Sequence, residues 1–436
     1  MMNHDRRAFL AATGSAFAAL LASGCVSRSI AAPAAASPYG ALVPDPAGLL
    51  DLPSGFTYRV IARLGDAMDD GLRVPDNADG MGCFDLGDGT IALVRNHELT
   101  ARSQSGGMIA SGFDRTIDGR VLHGGTTTQV LDAKSLATVR HYRSLAGTIR
   151  NCAGGVTPWG SWLTCEEDVT RAGRGVQRDH GWVFEVPANA GGLVDAVPLT
   201  AMGRFNHEAA AVDPATGIVY LTEDRDDGLL YRFLPDEPGN LARGGRLQAL
   251  AARGLKDSRN WQKRPISPGR SRDVRWVDLG GVDSPEDDLR RQGAAKGATL
   301  FARGEGIHMG VGREGSEIYF CCTSGGAAGY GQIFRLVPGE DRLELFFEST
   351  SKNQFNYGDN LTVAPGGHLI VCEDQYTKVQ DNHLRGITPD GRAYPLARLR
   401  AQTELAGACF SPDGKVLFVN VFSPAMTLAI TGAWAG

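Results

Sequence analysis

Six times along the chain a short apolar run ends in a polar turn carrying glycine and is answered by a second run of apolar and aromatic residues. The copies are FDLGDGTIALVRNHE (84–98), VTPWGSWLTCEE (156–167), VDPATGIVYLTEDR (212–225), VGREGSEIYFCCTSG (311–325), VAPGGHLIVCEDQ (363–375) and FSPDGKVLFVNVF (410–422). Each reads as a β-hairpin, with Gly89, Gly160, Gly217, Gly315, Gly366 and Gly414 in the turns. The glycines are 71, 57, 98, 51 and 48 residues apart, room for a four-stranded sheet and its loops in every repeat. Tandem hairpins at this spacing predict an all-β fold, a six-bladed β-propeller. Past the N-terminus no long stretch keeps a helical period.

Between the hairpins the pattern is looser. Residues 38–60 form a proline-punctuated lead-in to a first strand near Phe56–Ile61, and residues 101–125 are rich in Gly and Ser. The widest interval, Gly217 to Gly315, holds an expected insertion over about 236–300, with a short helix predicted at 284–292 behind Ser284-Pro285. Insertions of this kind cap the substrate face of a scaffold. The segment 416–432 is expected to supply late strands of the last blade; whether it closes against residues 55–61 is left open by the pattern.

Seven to ten residues ahead of the turn glycines stand Asp79, Cys152, Glu208, Glu305, Asp359 and Glu404. If the strand after each is the innermost of its blade, five carboxylates and one thiol meet at one mouth of the central channel. Such a concentration of negative charge requires cations, so the reading is a metal site. Acidic clusters at Asn96-His97-Glu98, Cys165-Glu166-Glu167-Asp168, Asn206-His207-Glu208 and Cys372-Glu373-Asp374 add oxygen donors that suit calcium. His97 and His207 each precede a glutamate; on a strand, neighbours face opposite ways, so they read as supporting residues rather than ligands.

Cys152 is a different signal, a soft donor among hard ones, in the small-residue segment Asn151-Cys152-Ala153-Gly154-Gly155 expected to be a loop with an accessible sulfur. Calcium does not seek sulfur, whereas iron accepts thiolate and carboxylate together, which points to a mixed site. Arg303, two residues before Glu305, shares its strand face. An arginine beside cations makes sense where an anion such as phosphate docks between them.

Composition narrows the classes. The net charge of −5 and the lack of a basic cluster with interleaved aromatics argue against nucleic acid as a partner. No GxxxxGK[ST], HExxH or GxSxG motif is present, nor a Rossmann fingerprint placed after a strand. Residues 1–36 read as a twin-arginine-like signal, Arg6-Arg7-Ala8-Phe9-Leu10 followed by an apolar run too short to span a bilayer, and 37–436 as one propeller domain. Without residues 1–36 the net charge falls from −5 to −7, because Asp5, Arg6, Arg7 and Arg28 go with them. Leu21-Ala22-Ser23-Gly24-Cys25 approximates a lipoprotein box, so Cys25 is a candidate lipid anchor. A monomer exported to the periplasm or outer surface by the twin-arginine machinery is expected. The other cysteines lack framework spacing; Cys83, Cys165, Cys372 and Cys409 read as structural thiols in strands.

Over nearly the whole mature length the chain resembles the PhoX-type alkaline phosphatases of bacteria. The stretches that carry the resemblance are 51–81, VRNHEL (94–99), GTIRNCAGGVTPWGSWLTCEED (147–168), FNHEAAAVDPATGIVYLTED (205–224), FARGEGI (301–307) and GDNLTVAPGGHLIVCED (358–374). The resemblance implies twin-arginine export, a six-bladed propeller and hydrolysis of phosphate monoesters at a cluster of iron (Fe3+) and calcium. It implies that Cys152 ligates iron, that Glu305 and Asp359 bridge iron, and that Glu98, Glu167 and Glu208 lie on the calcium side. It matches Arg303 to an arginine holding the phosphoryl group and, loosely, Arg385 to a second one. Two other readings stay open: a calcium-dependent lactonase or sugar-acid hydrolase, which needs carboxylates but no thiolate, and a non-catalytic binding propeller with structural calcium.

Overall fold

The computed structural model describes residues 36–434 apart from 313, 314, 376, 379 and 380. The signal segment up to residue 35 and the candidate anchor Cys25 lie outside the described residues. The fold is all-β and propeller-like. Six strands, Ala78–Asp85, Asn151–Val156, His207–Val212, Gly304–Gly312, Gly358–Val363 and Leu405–Phe410, each begin a hairpin of the repeated kind. Each contacts the next, and the last contacts the first, so they form a closed cycle around an axis.

The hairpins behave as the turn chemistry dictates. Gly89, Gly160, Gly217, Gly315 and Gly414 all have positive φ; in the fifth turn Gly367, not Gly366, takes that role. Hydrogen bonding groups the strands into five sheets rather than six. The cause is local: Ser271–Asp278, inside the expected insertion, pairs on one side with Gly245–Ala252 and on the other with Arg342–Glu348 over three residues. This joins the third and fourth hairpin systems at their outer edges into one nine-stranded sheet. The 236–300 segment thus contributes two eight-residue strands to the sheet. Its helix runs over Leu289–Ala295, later than predicted, because Ser284 and Asp287 adopt left-handed φ of 33° and 49° and cannot join a right-handed helix.

The ends of the chain meet in the last sheet. Thr57–Arg63 pairs with Met426–Thr431, so an N-terminal strand completes the C-terminal hairpin system. Apolar side chains from neighbouring sheets fill the spaces between them, as where Ile91 and Leu93 cluster with Phe418 and Ala429.

One irregularity recurs and positions everything that follows. Ala78 pairs with His97, but the next pair is Met81 with Arg95, so two residues oppose one. The same slip follows Asn151–Glu166, His207–Glu223, Gly304–Cys322 and Gly358–Glu373. A bulge of this kind re-aims the extra side chain. The bulged residues that begin these five slips are Asp79, Cys152, Glu208, Glu305 and Asp359. In the sixth hairpin Ala406 pairs with Asn420 before the slip, so Gly407 holds the corresponding place. Glu404 therefore comes from the preceding loop and is not the structural counterpart of the other five.

The candidate metal centre

The bulges place their side chains around a cavity of about 280 Å³ on the channel axis. Four overlapping triads form there, each with one ligand-type atom per residue within 4.8 Å of the others. They are Asp79–Glu98–Cys152, Cys152–Glu167–Glu208, Glu208–Glu305–Asp359 and Asp359–Asp374–Glu404. Cys152, Glu208 and Asp359 are each shared, so the triads run as one chain across the channel. Sequence reasoning expected Cys152, Glu98, Glu167, Glu208, Glu305, Asp359 and Arg303 at one site, and the structure brings all seven together.

The outer ligand positions have an equally simple origin. Glu98, Glu167, Asp224 and Asp374 each follow directly on the second strand of a hairpin, ending at His97, Glu166, Glu223 and Glu373. The residue just before faces the other way, as strand alternation requires. Glu166 Oε1 contacts His180 Nδ1 at 2.7 Å, Glu223 Oε2 accepts from Tyr231 Oη at 2.7 Å, and Glu373 Oε1 accepts from Arg385 Nε at 2.7 Å. Arg385 is thereby corrected: it is buried behind the strand against Glu373 and does not border the cavity. His97 and His207 are buried too, His97 contacting Asp76 O and Thr127 Oγ1 and His207 contacting Gly203 O. Burial pushes both imidazoles down, His207 to about 3, so they are neutral supports.

Cys152 lies in a strand rather than a loop, and its sulfur is buried, 7% exposed, instead of accessible. It still faces the cavity, donating to Asp79 Oδ2 at 3.4 Å. Burial first, then Asp79 and its acidic neighbours, hold its thiol well above the ordinary range. Burial likewise raises Asp79, Glu98, Glu167, Glu208, Glu305 and Glu404, and brings Asp359 to about 7. Eight carboxylates and two guanidiniums border the cavity, an imbalance that is offset either by protons, as the raised carboxyl groups show, or by bound cations. The donor set fits them. Both oxygens of Glu208 and Oδ1 of Asp79 are buried without a hydrogen-bond partner among the described residues, which is costly for carboxylates unless a metal is coordinated.

Neighbouring repeats lock the bulges. Asn96 Nδ2 donates to Cys152 O and Ala153 O at 3.1 and 2.8 Å, and its Oδ1 accepts from Trp162 and Thr164. Thr222 Oγ1 donates to Glu305 O at 2.6 Å, and Asn420 Nδ2 to Asp79 O at 2.6 Å. The backbones of Asp79, Cys152 and Glu305 are thus each held by the adjacent hairpin system, which is the preorganisation a metal site needs.

Two arginines border the cavity. Arg303 Nε and Nη2 donate to Asp224 Oδ1 and Oδ2 at 2.7 and 2.8 Å, and Nη2 lies 3.2 Å from Glu305 Oε1. Arg150, which sequence reasoning missed, donates from Nε to Glu98 Oε1 at 2.7 Å and from Nη2 to Glu167 Oε2. The two are counterparts, each two residues ahead of a bulge side chain and each at positive φ, 46° and 53°. That offset was visible in RNC and RGE and would have found Arg150.

No curated protein sequence matches the chain. Among solved structures, Pseudomonas fluorescens PhoX in complex with vanadate, a transition state analogue, is similar at a TM-score of 0.68 and 20% identity, over 92% of this chain and 97% of that one. A gluconolactonase from Xanthomonas campestris is similar at a TM-score of 0.43 and 16% identity, over 94% of this chain and 100% of that one. The family described as alkaline phosphatase PhoX matches residues 37–425, which takes in every hairpin and every side chain at the cavity. On that match the chain belongs to the alkaline phosphatase PhoX family, and it is a phosphatase.

Proposed function

We propose that the enzyme hydrolyses phosphate monoesters at an iron and calcium cluster on the axis of a six-bladed propeller, the nine-stranded sheet being two blades joined at their outer strands. The observation that carries the metal assignment is the buried Cys152 thiol beside the unpartnered Glu208 carboxylate. A soft ligand among oxygen donors suits iron, with Glu305 and Asp359 reached through the shared Glu208, while the all-oxygen triad Asp359–Asp374–Glu404 and the outer Glu98 and Glu167 suit calcium. When bound, such ions would polarise the phosphoryl oxygens and activate the attacking water.

The chain's own residues would orient the ester. Asp224 grips Arg303 with two bonds, so its guanidinium is fixed at the cavity wall before substrate arrives and offers its charge to the transferring phosphoryl group. Arg150 offers a second charge two repeats away. A lactonase reading leaves Cys152 and both arginines without a task. We place the enzyme outside the cytoplasm, in the periplasm or at the cell surface as a monomer, on the twin-arginine-like segment and the candidate anchor at Cys25.

Metal analysis of protein exported by its own signal, together with hydrolysis of 4-nitrophenyl phosphate, tests this. Iron and calcium should co-purify, and Cys152→Ala should lose iron while calcium remains. Wild type that holds no iron, or that opens lactones and leaves aryl phosphates intact, sinks the proposal.

A further inference from the structure

Between the paired strands Gly245–Ala252 and Ser271–Asp278 the chain takes eighteen residues, 253–270, to turn back on itself. Hairpin connections ordinarily need about two to five, and much longer ones in a compact fold tend to carry a function. With the first two residues of the following strand, the stretch 253–272 holds seven Lys and Arg against one acid, Asp257. It therefore carries +6 in a chain of net charge −5, and the remainder carries −11. The bases are spread along the stretch with one aromatic, Trp261, among them.

The fold gathers these charges. Both ends of the connection meet at one end of a strand pair, and Arg272 Nη2 reaches back to Pro265 O at 3.2 Å. The one acid is neutralised locally, because Arg259 bonds both oxygens of Asp257 at 2.8 and 2.7 Å. Lys256, Lys263, Arg264 and Arg270 are exposed and make no salt bridge among the described residues.

Trp261 stands among them, 40% exposed. Its Nε1 donates to Ser324 O at 2.8 Å, and the Arg259 guanidinium sits 4.5 Å from its ring centroid. The indole is thereby held in place with apolar surface open to solvent. Arg259 Nη1 donates to Asp226 O at 3.0 Å and Gly326 N to Arg259 O at 2.9 Å. These bonds fix the connection two residues beyond Asp224, which borders the axial cavity.

We propose that this basic connection docks the protein on an anionic lipid surface, the Lys and Arg heads at the lipid phosphates and Trp261 in the interfacial layer. Several separate exposed charges beside an amphipathic ring match an extended surface of headgroups, whereas a single small anion would leave most of them unused. The inference does not depend on the phosphatase reading, and it draws on the candidate anchor only for reach. Cys25 lies eleven residues ahead of residue 36, so an acyl chain there would keep the folded body within about 40 Å of a bilayer. One acyl chain alone attaches a protein only marginally, and a basic surface is the second signal that makes attachment stable. Docking would bring Asp226, and the cavity rim beside it, to the membrane.

The test is co-sedimentation of the exported, processed enzyme with vesicles of phosphatidylcholine alone and of phosphatidylcholine with roughly one-third phosphatidylglycerol. Any acyl chain is common to wild type and variants, and the neutral vesicles measure its share. Wild type should gain binding on the anionic vesicles and lose that gain as salt is added. Each basic residue near an anionic surface strengthens binding about fivefold, so the triple variant Lys263→Glu, Arg264→Glu, Arg270→Glu should weaken the gain on the order of a hundredfold. Trp261→Ala should weaken it severalfold, and both variants should keep the wild-type melting temperature and turnover of 4-nitrophenyl phosphate in solution. No gain on anionic over neutral vesicles, or a triple variant that binds like wild type, overturns the proposal. So does release from the vesicles by inorganic phosphate at constant ionic strength, which would mean a single-anion site, or tighter binding to duplex DNA than to the vesicles. Vesicle binding is read without turnover, so an enzyme that docks but hydrolyses no phosphate ester refutes the phosphatase reading alone.

Discussion

Arg303 grips the Asp224 carboxylate with two parallel bonds and lies against Glu305, whereas its counterpart Arg150 makes no such fork and divides its bonds between Glu98 and Glu167 from adjacent repeats. A lysine can replace a point charge between two acids but not a planar fork on one. Arg303→Lys should therefore lower kcat/KM for aryl phosphates on the order of tenfold to a hundredfold and weaken competitive inhibition by inorganic phosphate. Arg150→Lys should lose less, and metal content should be unchanged in both. Equal kinetics for Arg303→Lys and wild type would remove the guanidinium from phosphoryl binding.

Arg385 should separate from these two. Its bond to buried Glu373 secures the strand behind Asp374, and its side chain does not line the axial cavity. Breaking a buried pair leaves a charge uncompensated and costs about 3–5 kcal/mol. Arg385→Gln should lower the urea midpoint by a corresponding amount, while the phosphate inhibition constant of the folded fraction stays that of wild type. A weakened phosphate constant without loss of stability would return Arg385 to the substrate site.

These outcomes mark where the sequence was legible. Turn glycines and alternating apolar runs are local signals, so every hairpin could be read. The pairing of Thr57–Arg63 with Met426–Thr431 joins the two ends of the chain, and no local pattern encodes it. Counting back from turn glycines found five bulge side chains because the slip falls at the start of each strand. It also promoted Glu404, because the count cannot see that Gly407 occupies the sixth bulge. Cys152 looked like a loop residue because Ala153, Gly154 and Gly155 follow it. Their small size instead lets the innermost strands approach: a Cβ on Gly155 would lie 2.0 Å from Ala210 O.

The same closeness makes the second bulge residue a sensitive point. A Cβ on Gly306, next to Glu305, would lie 2.7 Å from Asn360 Cα in the neighbouring innermost strand. Backbone there cannot step aside without moving Asp359. Gly306→Ala should cost about 1–3 kcal/mol and lower metal content together with activity. Gly192→Ala, with nothing within 4 Å, is the matched control and should be neutral. Full metal loading in Gly306→Ala would show that the bulge tolerates a shift the packing argues against.

Metal removal should act on stability as well as turnover. The triads contain buried carboxylates whose charge the two arginines cannot balance. Ions that bind only the folded chain stabilise it by mass action, about 2.7 kcal/mol at a hundredfold excess over Kd. EGTA should therefore lower both melting temperature and activity, and added calcium should restore both. Protein equally stable with and without calcium would mean that the acids are satisfied without it.

His180 supplies a pH signature that is separate from the metals. Its ring is wholly buried between Asp114 Oδ2 at 3.0 Å and Glu166 Oε1 at 2.7 Å, and Glu166 also accepts from the Ile149 N–H next to Arg150. Burial alone would lower the imidazole, but the two carboxylates outweigh it and raise it from 6.5 to about 9. The folded value lies above the unfolded one, so the contribution is full below pH 6.5 and is lost as the pH rises through about 9. The shift corresponds to about 3 kcal/mol at its full extent. In urea unfolding with calcium held saturating, wild type should lose stability across that window, while His180→Gln should be less stable at pH 6 and show a flatter profile up to pH 10. Parallel profiles for the two proteins would mean that the imidazole is neutral between its acids.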